Sequence, residues 1–374
     1  MKILFSYPPL DLAKGYPTLG QNRQFQYFNA PTFIYPVVPA IAATMLKNDG
    51  HQVIWNDCIA EGMDRTRYFE FIRREKPDLI VFESKTPVIN EHWAFIDALK
   101  KELLTSNVSL LTVLTGDHVT ALPEESFENS AVDFVLTGGD YDFLLLNLCR
   151  YLETKPSTID HGQSTNLEPG IWRRENGRIT NTGPFVLNHD LDRAPFIDRE
   201  LTEWGLYAYE NGNYRRTPGT YIMSGRDCWW GRCSFCSWTQ IYPEFRSRSV
   251  DNVLDEIGCL TREFPIKEIM DDTGTFPRGD WLRDFCRGIV ARGYHRSLGF
   301  DCNFRFGAAG LEEYRMMAKA GFRFLLFGVE SGNQETLDRL NKGITVEEII
   351  DSCRLARRAG LYPHVTIMFG YPWE

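Results

Sequence analysis

Short, almost wholly apolar segments recur along this sequence, and the stretches between them have helical period. That alternation limits the fold more than any other feature. In the first 152 residues, 3–6, 52–55, 78–82, 110–114 and 133–136 read as strands, and 36–48, 91–104 and 140–152 as helices. Gly50 stops the first helix. Strands that are apolar throughout belong to parallel sheets covered on both faces. The expectation is therefore an α/β protein whose N-terminal domain, 1–152, is doubly wound and Rossmann-like.

Residues 153–218 break the pattern with Pro156, Pro169, Pro184 and Pro195. This stretch reads as a linker, with a small hairpin around Asn176-Gly177, that packs across both domains. From residue 219 the alternation returns. Strands are expected at 221–223, 268–270, 298–301, 324–327 and 364–368. Helices are expected at 250–264, with Ser249 as cap, and at 281–292, 311–320 and 346–359. Five βα units make a second domain, 219–374, of partial (β/α) barrel type.

The net charge is -9, so no basic footprint for nucleic acid is present. No apolar run approaches the roughly 20 residues that span a bilayer. The start, Met1-Lys2-Ile3-Leu4-Phe5-Ser6, is a strand rather than a signal peptide. The expected location is cytoplasmic, where disulfides are rare and clustered cysteines point to metal or redox chemistry. Of nine cysteines, Cys58, Cys149, Cys259, Cys286, Cys302 and Cys353 are scattered and read as small buried hydrophobes. Cys228, Cys233 and Cys236 fall within nine residues of one another, directly after a predicted strand. Three thiolates hold three irons of a cubane and leave the fourth open, which is a catalytic arrangement. A structural zinc site completed by a histidine remains the alternative, although no second ligand pair lies nearby.

The run Cys228-Trp229-Trp230-Gly231-Arg232-Cys233-Ser234-Phe235-Cys236 resembles the cluster loop of the radical S-adenosylmethionine (SAM) superfamily. That family usually places three residues between the first two cysteines; here there are four. The resemblance implies that Cys228, Cys233 and Cys236 hold a [4Fe–4S] cluster and that Phe235 lies beside the adenine of SAM. Phe327-Gly328-Val329-Glu330-Ser331-Gly332 resembles the fourth-strand motif, with Gly328 and Glu330 at the SAM ribose. Glu330 suits that task because a carboxylate accepts from two hydroxyls at once. Asp271 and Asp272, after the second strand, are placed for the SAM amino group, or else as helix caps. Arg305, after the third strand, is placed for its carboxylate. Phe369-Gly370-Tyr371-Pro372-Trp373-Glu374 is similar to the fifth-strand motif of the branch that also binds cobalamin.

The first domain resembles the cobalamin-binding fold of that branch. The matching segments are 36–46 with Gly50-His51-Gln52-Val53, Thr115-Gly116-Asp117-His118, and Thr137-Gly138-Gly139-Asp140. Ser84, Gly116, His118, Gly138 and Gly139 are the implied cobalamin contacts. No Asp-x-His-x-x-Gly motif follows the first strand, so no protein histidine is expected below the cobalt. The implied function is a cobalamin-dependent radical SAM enzyme, with methylation of an unactivated carbon expected. Ring closure without methyl transfer, or a non-catalytic metal-binding module, are the alternatives. A flavodoxin- or ferredoxin-like electron donor is the implied partner, and the substrate, small molecule or peptide, is unspecified. The resemblance also implies a sixth βα unit beyond residue 374, without which full activity is not expected.

Overall fold

The structure, a computed structural model, describes residues 1–20, 25–104, 110–154, 167–175 and 177–373. It divides into two compact units, Met1–His189 with Ala194–Glu210, and Asp190–Arg193 with Asn211–Glu374.

In the first unit one sheet contains β1 (Lys2–Tyr7), β2 (Gln52–Asp57), β3 (Leu79–Ser84), β4 (Leu111–Gly116), β5 (Phe134–Leu136), β6 (Ile171–Glu175) and β7 (Arg178–Asn181). The strand order is β2-β1-β3-β4-β5-β6-β7. The first five strands are parallel. The order 2-1-3-4-5 is a doubly wound arrangement with its switch point between β1 and β3. The longer helices are α1 (Val37–Asn48), α2 (Arg65–Glu75), α3 (Ile89–Leu104) and α4 (Tyr141–Thr154). Ile80, Phe82, Leu114 and Val135 of the strands share a core with Tyr68 and Ile72 of α2 and Ile96 and Leu99 of α3. Each such buried side chain contributes about 1.5–3 kcal/mol.

Two features differ from the sequence expectation. Helix α2 has no obvious apolar stripe: it reads RTRYFEFIRRE, and only Tyr68, Phe69 and Ile72 are buried. Its start is set by Asp64, which accepts from Arg67 N at 2.9 Å. The hairpin expected around Asn176-Gly177 is β6 and β7, and rather than standing alone it extends the first sheet antiparallel through Leu136↔Ile171 and Phe134↔Arg173. It joins the sheet because Ile171 and Trp172 find apolar neighbours on the β5 edge. Asn176, at the tip of the expected hairpin, lies outside the described residues.

In the second unit β8 (Gly219–Ile222), β9 (Glu268–Asp271), β10 (Gly299–Phe304), β11 (Phe322–Glu330) and β12 (Tyr362–Ile367) are parallel and lie side by side in sequence order. Between them run α5 (Val250–Glu263), α6 (Asp280–Ala291), α7 (Leu311–Lys319), α8 (Gln334–Arg339) and α9 (Val346–Arg358). Ser249 caps α5, accepting from Asn252 N at 3.2 Å. This is the expected partial (β/α) barrel. Phe276, Phe285, Phe300 and Phe322 meet edge to face or tilted in its core. At its base Arg323 donates to Glu268 at 2.6 Å and to Asp301 at 3.2 Å. Burial and the Glu268 carboxylate push Asp301 up to about 9.

One irregularity matters for the site. The register of β11 against β12 jumps from Gly328↔Thr366 to Glu330↔Ile367, so Val329 is an extra residue. Bulges of this kind re-aim the next side chain. Glu330 follows with φ +68, a conformation that a non-glycine residue adopts only under constraint.

Candidate functional site

In the second unit the chain leaves β8, forms a two-stranded ribbon (Gly225–Arg226 with Arg246–Ser247), and enters the cysteine loop. Cys228, Cys233 and Cys236 are free and half-buried. One flank of the loop is tied to the segment after β9. Thr275 N donates to Asp227 O at 3.1 Å, Cys228 Sγ lies 3.0 Å from Thr275 Oγ1, and Trp229 Nε1 donates to Phe276 O at 3.3 Å. Gly274 permits this approach, since a Cβ there would come within 1.9 Å of Asp227 Oδ1.

The other flank is tied to the turn after α8. Ser234 N donates to Leu340 O at 3.0 Å, Trp230 Nε1 to Asn341 O at 3.0 Å, and Asn341 Nδ2 to Arg232 O at 3.0 Å. The fourth residue between the first two cysteines is absorbed in this way. Trp230 turns onto the 341–343 turn while Cys233 to Cys236 keep their own hydrogen bond, Cys236 N to Cys233 O at 3.2 Å. Guanidinium groups cover both indoles: Arg278 lies 3.9 Å from the Trp229 ring and Arg305 4.2 Å from the Trp230 ring.

The thiols feel one another. Burial pushes Cys236 up to about 12, with Asp227, Cys233 and Cys228 adding to the shift. Burial also raises Cys233, while the charges of Lys342 and Arg305 oppose that rise. Among the described residues no group of three or more His, Cys, Asp or Glu side chains is gathered tightly enough to hold a metal ion. The three sulfurs therefore share one loop without converging on a point. The donor set nonetheless fits an iron–sulfur cluster: three thiols, no carboxylate or imidazole among them, and two cations that favour thiolate.

The residues expected at SAM are distributed unevenly. Phe235, Gly328 and Glu330 come together with a residue the sequence reading missed, Lys342. Lys342 Nζ donates to Glu330 Oε1 at 2.7 Å and lies 5.7 Å from the centre of the Phe235 ring. Gly328 makes room for this pair, because a Cβ there would sit 2.3 Å from Glu330 Oε1 and 2.9 Å from Lys342 Nζ. Arg305 donates to the main-chain oxygens of Lys342 and Gly343. Asp271 is buried and braces the strand ends: its oxygens accept from Ser224 N at 3.1 Å, from Ser224 Oγ and from Thr273 N at 3.0 Å. Asp272 is also buried, and its main-chain N donates to Ile222 O at 2.8 Å. The one sequence signal for Lys342 is the Asn341-Lys342-Gly343 turn, whose outer residues take φ +51 and +62.

In the first unit the expected cobalamin residues lie along the carboxyl edge of the sheet. Ser84 is buried, with its hydroxyl 2.7 Å from His92 Nδ1. Burial pushes His92 down to about 4, so it is neutral. Gly116, at φ +121, lets β4 close on β3, since a Cβ would come within 2.1 Å of Ser84 O. His118 is engaged at both nitrogens, Nδ1 3.3 Å from Thr86 Oγ1 and Nε2 3.2 Å from Glu125 Oε2. The space above Gly138 is filled by Phe185, whose ring lies 2.4 Å from where a Cβ would be. Gly139 follows in the same loop and leads into Asp140, which pairs with His189 at 3.0 Å. A small cleft of ≈ 20 Å³ opens by the ends of β1 and β2, lined by Tyr7, Thr18, Ile34, Asp57, Ile59 and Tyr207 among others. Sequence reading also missed a buried charged group beside it: Tyr7 donates to Glu83 at 2.5 Å, and Lys85 Nζ lies 3.9 Å from both Glu83 and Asp117.

The chain thus combines a Rossmann-like unit with a parallel barrel sheet that carries three cysteines after its first strand. Residues 222–374 match the family model described as the radical SAM superfamily. The chain is 26% identical over 344 residues to an uncharacterized methyltransferase of Pyrococcus horikoshii, covering 91% of this chain and 70% of that protein. It is 24% identical over 342 residues to the anaerobic magnesium-protoporphyrin IX monomethyl ester cyclase of Rubrivivax gelatinosus, covering 90% and 59%. Among solved structures, the cobalamin-dependent SAM radical enzyme OxsB superposes with a TM-score of 0.75 at 18% identity, over 98% of this chain and 49% of that one. The methyltransferase TsrM from Kitasatospora setae superposes at 0.72 and 18%, over 100% and 68%. The chain thus spans about half the length of OxsB and three-fifths of the cyclase. Residues 222–374 are a radical SAM domain, and the chain has the fold of the cobalamin-dependent enzymes OxsB and TsrM. A radical SAM domain implies a [4Fe–4S] cluster and SAM. Among the described residues no helix is long and apolar enough to cross a membrane.

Proposed function

We propose that this protein cleaves SAM reductively and, with cobalamin in its first unit, methylates an unactivated carbon. The carrying observation is the meeting of the cysteine loop with Phe235, Glu330 and Lys342 at the carboxyl ends of one parallel sheet. Cys228, Cys233 and Cys236 would hold the cluster, which supplies one electron to the SAM sulfonium, giving methionine and a 5′-deoxyadenosyl radical. Glu330 would accept from the ribose hydroxyls and Phe235 would pack beside the adenine. The indoles of Trp229 and Trp230 brace the loop against the segment after β9 and the turn after α8. Cobalamin, when bound, supplies a methyl carrier. It would bind at the carboxyl edge of the first unit's sheet, where ligands of doubly wound folds sit. A low-potential one-electron donor, flavodoxin- or ferredoxin-like, is the required protein partner.

A second reading, radical ring closure without methyl transfer, is favoured by the similarity to the Rubrivivax cyclase. One experiment separates the two. Anaerobically reconstituted, reduced protein is given SAM and cobalamin, and nucleoside products are quantified. 5′-Deoxyadenosine together with S-adenosylhomocysteine supports methylation. 5′-Deoxyadenosine without S-adenosylhomocysteine defeats methylation and leaves ring closure standing. Neither product, with the cluster intact, defeats both readings.

A further inference from the structure

Lys342 stands out among the cations of the second unit. Its side chain is 10% exposed, and Glu330, its one carboxylate partner among the described residues, is 9% exposed. Burying such a pair is costly unless the geometry is fixed by its surroundings, and here it is fixed from three sides. Gly328 leaves the space in which Oε1 and Nζ meet. The Val329 bulge and the positive φ of Glu330 turn the carboxylate inward. The backbone of Lys342 is held by its own N–H to Leu337 O at 3.0 Å and by the guanidinium of Arg305 on its carbonyl. Among the described residues only one of three ammonium donors is used, and only one of the two carboxylate oxygens. The flanking residues Asn341 and Gly343 are the ones that grip the cysteine loop through Trp230.

We propose that Lys342 is a positioning residue of the SAM site: it fixes Glu330 through Oε1, leaves Oε2 for a ribose hydroxyl, and places its charge beside the cluster loop. One ammonium then links nucleoside recognition to the redox centre. This rests on the function proposed above but assigns a task that neither the superfamily match nor the relatives carry. Lys342 Nζ lies 5.7 Å from the ring of Phe235, which directly precedes Cys236, and its neighbour Asn341 accepts from Trp230 of the same loop. A positive charge at this place favours the reduced, more negative cluster.

The test compares wild type, Lys342→Met, Lys342→Arg, Glu330→Gln and the Lys342→Met/Glu330→Gln double variant, all reconstituted anaerobically. SAM affinity is measured by equilibrium binding, and the cluster potential by titration without SAM. Methionine keeps the stem and removes the charge. It should weaken SAM binding about tenfold, the effect of losing one charge-assisted hydrogen bond. It should also move the potential to more negative values. Arginine should recover most of both. The double variant should bind no worse than Glu330→Gln alone, because both changes break one link. Wild-type affinity and potential in Lys342→Met would overturn the proposal, and so would fully additive losses in the double variant. A wild-type protein that carries its cluster yet binds no SAM overturns the functional reading itself, and is told apart by that control.

Discussion

The indole of Trp230 occupies the place where residue 343 would carry a side chain: a Cβ on Gly343 would come within 2.2 Å of the ring, at a backbone φ of +62. The glycine and the tryptophan are therefore one feature, and through it the cysteine loop rests on the turn after α8. Gly343→Ala should cost about 1–3 kcal/mol for the left-handed backbone alone, and the clash should displace the loop. The expected outcome is a lower thermal midpoint and a lower iron content after reconstitution. Unchanged iron content would show that the loop holds its cluster without this support.

Replacing Cys228, Cys233 and Cys236 together by Ala should abolish the cluster's visible absorbance. Cys259→Ala is the matching control, because that thiol is half-buried on α5, away from the loop. Cys286 and Cys302 are poorer controls than their sequence positions suggest. Both are buried in the core, and truncating them risks stability for reasons unrelated to iron. Retained absorbance in the triple variant would remove these residues as ligands.

His189 lies between two carboxylates, Asp140 at 3.0 Å and Glu168 at 2.8 Å, and stacks on Phe143 at 4.2 Å. Burial lowers its affinity for a proton, but the two carboxylates outweigh burial and the net shift is upward. A raised folded value means that the protonated imidazole stabilises the fold below its unfolded value, about 6.5. That contribution is lost as pH rises through the folded value. The stability gap between wild type and His189→Gln should therefore be widest below about pH 6.5 and shrink above it. A gap independent of pH, read from denaturant midpoints, would contradict the ion-pair account.

Both nitrogens of His118 already have partners in Thr86 and Glu125. Cob(II)alamin bound to this protein should give an electron paramagnetic resonance spectrum without axial-nitrogen splitting, unchanged in His118→Ala. A nitrogen-split signal that disappears in that variant would place His118 on cobalt.

Legibility in the sequence followed how local each cause is. Strands β1 to β5 were visible because each is a short apolar run, and the α5 cap because Ser249 immediately precedes its helix. The cysteines and Glu330 were visible as clustered or glycine-flanked residues whose chemistry is rare elsewhere. Helix α2 was not, because its charged residues hide the three that it buries. The β6–β7 hairpin was visible at Asn176-Gly177, but its docking on the first sheet was not, because local composition says nothing about a free sheet edge 35 residues earlier, where Ile171 pairs with Leu136. Lys342 was invisible for the same reason. Its partner lies 12 residues upstream across a helix, and Phe235 lies more than a hundred residues away. The open backbone at Gly138 suggested room for a cofactor, but Phe185 takes that room, which only a tertiary contact reveals.

The bonds that fasten the cysteine loop have a consequence for the protein's birth. Trp230 and its acceptor Asn341 are 111 residues apart in the chain. At about 5–20 residues per second, a ribosome needs roughly 5–20 s to make that stretch. During this interval the three thiols are already synthesised, while the turn that shields them does not yet exist. Iron and sulfide delivered in that window meet a loose, oxidisable loop, and delivery after the turn has folded meets a braced one. Cluster loading on this chain is thus best timed after residues 340–343 have emerged and folded.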